Sequence, residues 1–180
     1  MSFMDDAVDN LLNRIIIRWY ARHEGVIIPT KRDEDVGYDI YADLKTYYIL
    51  QPGETFMFPT GLSVVLPNGY WLRLAERGST AKYGLSLRAG IVDTGYRGEI
   101  FVALTNTSDN NVVFNATEAQ QKEIMGNNPL NYEFYPMKKA IVQGILEEKI
   151  AAKSEAISKE EFDALAPTER GEGKTGSSGK

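Results

Sequence analysis

Apolar and polar residues alternate along this chain in two textures. In residues 5–14, Ala7, Val8, Leu11 and Leu12 fall at i, i+1, i+4 and i+5, the spacing of one helix face, so a short amphipathic helix is expected there. From Arg14 the texture changes. Residues 14–20 (RIIIRWY) are β-branched and aromatic and predict a strand, as do 25–30 (GVIIPT) and 38–42 (YDIYA). Further strand-like runs follow at 46–50, 55–61 and 62–76, the first two separated by a Pro52-Gly53 turn. Within 62–76, Pro67-Asn68-Gly69 sits between two apolar runs and predicts a hairpin. After it Tyr70, Leu72 and Leu74 alternate with Trp71 and Arg73, the period of a half-buried strand. Residues 98–106 (GEIFVALTN) predict another. Many short strands with regular turn signals point to an all-β sandwich, barrel or jelly roll.

One segment departs from this texture. Residues 115–125 (NATEAQQKEIM) carry strong helix formers behind an Asn or Thr cap and stop at Gly126-Asn127-Asn128-Pro129, so a helical insertion of about 111–136 is expected between two strands. Residues 135–150 return to strand texture, although 147–157 is also compatible with a helix. Ser158-Lys159-Glu160-Glu161 has the form of a capping box that starts a short helix or turn. The last residues, ERGEGKTGSSGK, are Gly- and Ser-rich and are expected to be disordered without partners. The organisation expected is an N-terminal extension (1–13), a β-domain (14–166) and a C-terminal arm (167–180).

Composition narrows the chemistry. Hydrophobic residues make up 43% of 180, enough for a packed core. No apolar run approaches the ~20 residues of a membrane span, and the acidic start lacks the basic opening of a signal peptide. A cytoplasmic protein without membrane partners is the expectation. The absence of cysteine excludes disulfides, thiolate zinc sites and a cysteine nucleophile. The single histidine, His23, reads as a surface residue beside Arg22 and Glu24, which leaves little material for a multi-histidine metal site or a Ser–His triad. The net charge of −5, with no Lys/Arg cluster, argues against a nucleic-acid polymer as partner. A small anion needs only a few cations and backbone N–H groups.

Three segments carry candidate chemistry. In the tail, Gly171, Gly173, Gly176 and Gly179 are interspersed with Arg170, Lys174, Ser177 and Ser178, a donor-rich set suited to folding over a polyphosphate, or else a solvated terminus. Arg77-Gly78-Ser79-Thr80, directly after a strand, reads as a small-residue turn with exposed N–H groups and an arginine, suited to an anion or to an ordinary surface turn. In residues 90–98 (GIVDTGYRG), Asp93 at a hairpin between apolar residues fits a general base toward water, and Tyr96 fits a flat platform for a sugar or base; an Asx turn is the plain alternative.

Taken in order, these segments resemble the five motifs of the trimeric dUTPase family, over about Arg14 to Gly179. Asp35-Val36-Gly37-Tyr38-Asp39-Ile40-Tyr41-Ala42 is similar to the first motif, and Arg77-Gly78-Ser79-Thr80 occupies the second. Gly90 to Gly98 resembles the third, the most specific. Ala140-Ile141-Val142-Gln143 stands at the fourth, and Arg170 to Gly179 resembles the Gly-rich fifth. The resemblance implies a jelly-roll β-fold and a homotrimer with three active sites between subunits, hydrolysing dUTP to dUMP and pyrophosphate with Mg²⁺. By position, Asp93 would activate the water that attacks the α-phosphorus. Tyr96 would pack under the deoxyribose and exclude a ribose 2′-OH. The backbone of Gly90, Ile91 and Val92 would read the uracil edge. Arg77, Gly78 and Ser79 would hold phosphates with Gln143 beside them. Arg170, Gly176 and Ser177 would close over the triphosphate of a neighbouring site. Asp39 would support Mg²⁺ through water, the metal being held mainly by substrate phosphates.

Departures from the family pattern are Gly78 where Ser is usual, Ala140 where Arg is usual, and Thr175 near the position of a uracil-covering aromatic residue. The insertion exceeds the compact family core, as in some phage members, for which the host cytoplasm would be the location. Two rival functions share the fold. A dCTP deaminase, alone or bifunctional, needs a catalytic Glu at the position that Ala103 matches. A nucleotide-dependent protein-binding module would keep the fold and bind a regulatory protein.

Overall fold

The computed structural model describes residues 15–127 and 131–168. Among them are twelve short strands and three short helices in a jelly-roll-like β-fold. The chain divides into two compact units, Met1–Ile150 and Ala151–Lys180. The first holds all twelve of the described strands. The second holds, among described residues, one helix, Lys159–Asp163, which Ser158 starts. The Ser158 side chain accepts from the Glu161 amide, and the Glu161 side chain accepts from the Ser158 amide. That reciprocal capping box satisfies two donors which the start of a helix otherwise leaves open. No described helix is long and apolar enough to cross a membrane.

Strands that neighbour in sequence seldom pair. β1 (Arg18–Ala21) pairs antiparallel with β5 (Leu62–Val65). β4 (Thr55–Pro59), β9 (Phe101–Asn106) and β7 (Leu85–Arg88) form one sheet in that order, and β11 (Tyr132–Phe134), β10 (Asn111–Phe114) and β3 (Tyr48–Leu50) another. The largest sheet runs β2 (Tyr38–Ile40), β12 (Val142–Glu148), β6 (Tyr70–Ala75), β8 (Ile91–Val92). Crossovers between sheets are how a jelly roll wraps both layers round one core.

β9 is buried along nearly its whole length, from Val102 to Asn106, so it is covered on both faces. Around it pack Phe58 and Phe114, with ring centroids 4.5 Å apart, and Tyr135, 5.1 Å from Phe114. At the end of β9 the fully buried Asn106 acts as a polar hub. Its Nδ2 donates to the carbonyls of Leu50 (2.9 Å) and Asn110 (2.8 Å), and its Oδ1 accepts from the Ser108 amide (3.0 Å) and hydroxyl (2.8 Å).

Several expectations change in the structure. Pro67-Asn68-Gly69 makes a turn, with the Tyr70 amide on the Pro67 carbonyl at 3.2 Å, but not a hairpin. β5 pairs with β1 while β6 pairs with β12 and β8, so the turn carries the chain from one sheet to another. Residues 25–30 form no strand: Ile27 and Ile28 are exposed, and Pro29 offers no amide to a ladder. The segment 14–20 yields a strand only from Arg18. The helix expected in 115–125 spans Glu118–Asn127, and within the insertion of about 111–136 Asn111–Phe114 and Tyr132–Phe134 pair as parallel strands on either side of it. Thr117 caps it: its amide donates to Gln120 Oε1 (2.9 Å) and its hydroxyl accepts from the Gln120 amide (3.4 Å). No helix forms between Glu148 and Ser158. The helix expected over 5–14 lies outside the described residues.

The hub at Asn106 yields a stability test. Asn106→Leu keeps the volume and adds apolar surface, yet takes away the side-chain donors of the Leu50 and Asn110 carbonyls and the acceptor of the Ser108 amide. Urea unfolding is expected to show a loss of about 2–4 kcal/mol; an unchanged or raised midpoint would show the hub to be dispensable.

Candidate active site

Two groups of side chains sit at opposite edges of the four-stranded sheet. The first gathers where β2, β12 and the end of β6 lie side by side. Gln143 on β12 faces Asp39 on β2 and Ala75 on β6 across the ladder. From Ala75 the chain runs through Glu76 to Arg77, which caps the one-turn helix Gly78–Lys82. Residues 77–80 are therefore a helix start rather than a turn. Thr80 anchors it, buried, with its hydroxyl donating to the Ile141 carbonyl at 2.8 Å.

Arg77 is held from two sides. Its Nε and Nη2 meet Asp39 at 3.1 and 3.2 Å, and Nη1 donates to the Ala140 carbonyl at 3.2 Å. The Tyr135 hydroxyl donates to that same carbonyl at 2.8 Å. Position 140 thus serves through its backbone, its methyl group is buried, and Asp39 takes its cation from Arg77. At Gly78 a Cβ would meet nothing within 4 Å, so no steric demand explains glycine in place of serine. The Ser79 hydroxyl is 3.5 Å from that of Tyr135. Gln143 Nε2 donates to the Glu76 carbonyl at 3.0 Å, and a Cβ on Gly37 would lie 2.6 Å from Gln143 Oε1. Glycine at 37 is what lets that amide lie against the backbone.

Of these residues, Asp39, Arg77 and Gln143 border a cavity of about 800 Å³ whose other wall includes Lys31, Arg32 and Asp35. Arg32 grips Asp35 with two bonds of 2.9 and 2.8 Å, which hold the Asp35 carboxyl at about 2, below its ordinary value. Lys31 Nζ donates to the Asp35 carbonyl at 2.8 Å. Neither cation is singled out from the sequence; the run Lys31-Arg32-Asp33-Glu34-Asp35 is the available signal, and its mixed signs do not mark an anion site.

The second group sits on β8 and the turn after it. Val92 faces Leu72 and Ile91 faces Arg73 on β6, and the Leu74 amide donates to the Gly90 carbonyl at 2.7 Å. Asp93 opens a turn closed by the Tyr96 amide on its carbonyl at 3.0 Å. The Thr94 hydroxyl donates to the Tyr70 carbonyl, and Arg97 Nη1 donates to the carbonyls of Thr94 and Tyr96 at 2.9 and 2.8 Å. The turn is not a hairpin, since β8 pairs with β6 while β9 pairs with β4 and β7. Asp93 is exposed, and among the described residues no group bonds its carboxylate. With Tyr96, Ile91, Glu99 and Phe101 it borders a cavity of about 350 Å³. A separate cleft on Asp93 is bordered by Trp71, Thr94 and Lys149.

A single chain does not unite the two groups. By strand register, Asp39 lies level with Ala75 and Asp93 level with Trp71, four residues along and three strands across, on the order of 20 Å at ordinary sheet spacings. Arg170, Gly176 and Ser177 lie outside the described residues. Among the described residues no cluster of three or more Asp, Glu or His side chains converges on a metal position. Asp39 offers hard carboxylate oxygens beside the anion-facing donors, which fits a Mg²⁺ carried by other oxygen ligands and reached through water.

Comparison with known proteins bears on what this arrangement belongs to. The family model for dUTPase matches residues 23–119. The deoxyuridine 5′-triphosphate nucleotidohydrolase of Candida albicans is 34% identical over 167 residues, covering 91% of this chain and 88% of the relative. That of Debaryomyces hansenii is 31% identical over 166 residues, with the same coverage of 91% and 88%. That of the Wolbachia of Brugia malayi is 39% identical over 79 residues, 42% of this chain and 51% of the relative. Among solved structures, a point mutant of the Staphylococcus bacteriophage 80alpha dUTPase with dUpNHpp shares the fold with a TM-score of 0.67 at 21% identity, over 92% of this chain and 99% of that one. EIAV dUTPase does so at 0.58 and 22%, over 80% and 98%. A family match over more than half of the chain and relatives above 30% identity along most of it agree with the fold, and the chain belongs to the dUTPase family.

Proposed function

We propose that the protein hydrolyses dUTP to dUMP and pyrophosphate at sites built from more than one copy of the chain, a homotrimer as in the family it resembles. The observation that carries this is the separation of Asp93 from Arg77, Asp39 and Gln143 along and across one sheet. A general base works within ~3 Å of the water it deprotonates. Asp93 therefore serves a triphosphate held by another copy's Arg77, and cyclic symmetry repeats that contact around the assembly.

Each residue has chemistry suited to its role. Arg77 uses three of its N–H groups on Asp39 and Ala140. Of five donors on a guanidinium, two remain for phosphate oxygens. Ser79 adds a hydroxyl, and Gln143 flanks them. β8 is the edge strand of its sheet, and since Gly90 and, two residues on, Val92 turn their backbone groups toward β6, the N–H and C=O of Ile91 point outward and are free to read a pyrimidine edge. Uracil is favoured over cytosine by that donor and acceptor pattern, and over thymine by space at C5. Tyr96, exposed beside Asp93, offers its ring to the deoxyribose. Arg170, Gly176 and Ser177 supply donors that close over the phosphates. Mg²⁺ would be held by phosphate oxygens, with Asp39 reached through water, and when bound it neutralises charge on the departing pyrophosphate. Asp93 accepts a proton from water as its oxygen bonds to the α-phosphorus. The bond from that phosphorus to the bridging oxygen breaks, pyrophosphate takes the electron pair, and the proton passes from Asp93 to solvent. Deamination of dCTP has less support, because position 103 is a buried alanine in β9 with no proton to move.

Pyrophosphate release from dUTP with Mg²⁺, set against dCTP, dTTP and UTP and repeated in EDTA, tests the reaction; release from dUTP no faster than from the other three would end this reading. Asp93→Asn is expected to lower kcat by roughly 10²–10⁴-fold while affinity for a non-hydrolysable dUTP analogue stays near wild type. Mixing subunits of Asp93→Asn with subunits of Arg77→Ala tests the shared site. Both pure variants are nearly inactive, and random reassembly restores about one site in four. No recovery, with exchange verified by mass spectrometry, would place both groups in one subunit's own site.

A further inference from the structure

We infer that Glu99 is a positioning residue for sugar selection, holding the Tyr96 ring in a fixed stance beside Asp93; this rests on the dUTP reading above. Tyr96 is 44% exposed, so surrounding side chains do not clamp it. Its two visible restraints come from the next residues in the chain. The hydroxyl donates to the Glu99 carbonyl at 2.8 Å. The ring lies against Gly98, where a Cβ would stand 2.4 Å from Tyr96 Oη and 2.6 Å from Cζ, a distance no side chain tolerates.

A carbonyl on an exposed turn is a poor anchor unless the turn is itself fastened. Here the fastening runs through the Glu99 side chain, whose Oε1 accepts the Gly61 amide at 2.9 Å. Gly61 belongs to the connection between β4 and β5, and its own carbonyl accepts the Arg22 amide at 2.8 Å. Backbone-directed bonds flank that anchor: the Ser63 hydroxyl donates to the Gly98 carbonyl at 2.9 Å and the Ile100 amide to the Leu62 carbonyl at 2.8 Å. Glu99 is thus the one side chain of residues 98–100 that ties the turn back to the β1–β5 pair. It also borders the same cavity as Asp93 and Tyr96, so its removal is felt where the sugar would lie.

Holding a ring is different work from moving a proton, and two substitutions separate them. Glu99→Gln keeps an acceptor oxygen for the Gly61 amide but cannot act as a base. Glu99→Ala loses the acceptor. A platform that drifts admits a 2′-OH and grips the deoxyribose less well, so its signature is nucleotide discrimination rather than turnover.

The experiment measures kcat and KM for dUTP and for UTP in wild type, Glu99→Ala, Glu99→Gln and Tyr96→Phe. Glu99→Ala is expected to reduce the dUTP/UTP ratio of kcat/KM by about tenfold, mostly through a raised KM for dUTP, with kcat on dUTP falling by less than about threefold. Glu99→Gln keeps the wild-type ratio. Tyr96→Phe keeps the ring and loses only its tether, and moves the ratio in the direction of Glu99→Ala; it decides the matter alone if Glu99→Ala does not fold. An unchanged ratio in Glu99→Ala, or in Tyr96→Phe where that variant stands alone, overturns the inference while leaving dUTP hydrolysis intact. A Gln variant as defective as Ala also overturns it. A wild type that treats dUTP and UTP alike removes both readings together.

Discussion

The ladder between β6 and β12 is the constraint on which the arrangement depends. Six residue pairs, from Gln143↔Ala75 to Glu148↔Tyr70, lock the two strands in one register. A slip of one residue would turn Leu72, Leu74, Val142 and Gly144 outward and send Arg73 and Gln143 into the core. With the register fixed, one end of the pair delivers Gln143 and Arg77 to Asp39. At the other end β6 carries β8 and, just beyond it, Asp93. The distance between the two chemical groups is therefore a property of the sheet and not of flexible loops, and one chain cannot close it without breaking hydrogen bonds.

The Arg77–Asp39 pair belongs to that design for reasons other than stability. Both side chains are about a third exposed, 27% and 34%. An ion pair so placed contributes about 0–1 kcal/mol. Its value is geometric. Two contacts to Asp39 and one to the Ala140 carbonyl set the plane of the guanidinium at the border of the cavity. Arg32 and Asp35 repeat the device on the opposite wall, where the fork holds a loop in shape and Lys31 bonds the Asp35 carbonyl.

What was legible in the sequence was local. The alternation in 70–74 marked a half-buried strand, Ser158 to Glu161 marked a capping box, and 115–125 marked a helix behind a cap, and all three are present. Partners were not legible. Asn68-Gly69 permits a reversal whether or not the flanking strands pair, and here β5 and β6 belong to different sheets. Residues 25–30 have strand composition, yet a run containing Pro29 found no ladder to join. The same limit applies to the site. Motif order singled out Asp39, Arg77, Gln143, Asp93 and Tyr96 as candidates but carried no information on which of them share a cavity. Glu99 was invisible for a further reason: it works through a contact 38 residues away, to an amide that no pattern marks.

The edge of β8 joins these points. An unpaired strand edge invites pairing with another chain, and proteins usually blunt it with charge or proline. This edge carries Ile91, 71% exposed, with Tyr96, Phe101 and Met57 also exposed around the adjoining cavity. Apolar side chains in that density beside the carboxylate proposed as general base are a cost to an isolated chain and a benefit to a site that has to shed water as it closes. The unpaired backbone is likewise a liability alone and a recognition element when a pyrimidine supplies the missing donors and acceptors. Both features make physical sense together if the edge is occupied in the working protein, on one side by base and sugar and on the other by the copy of the chain that brings the phosphates.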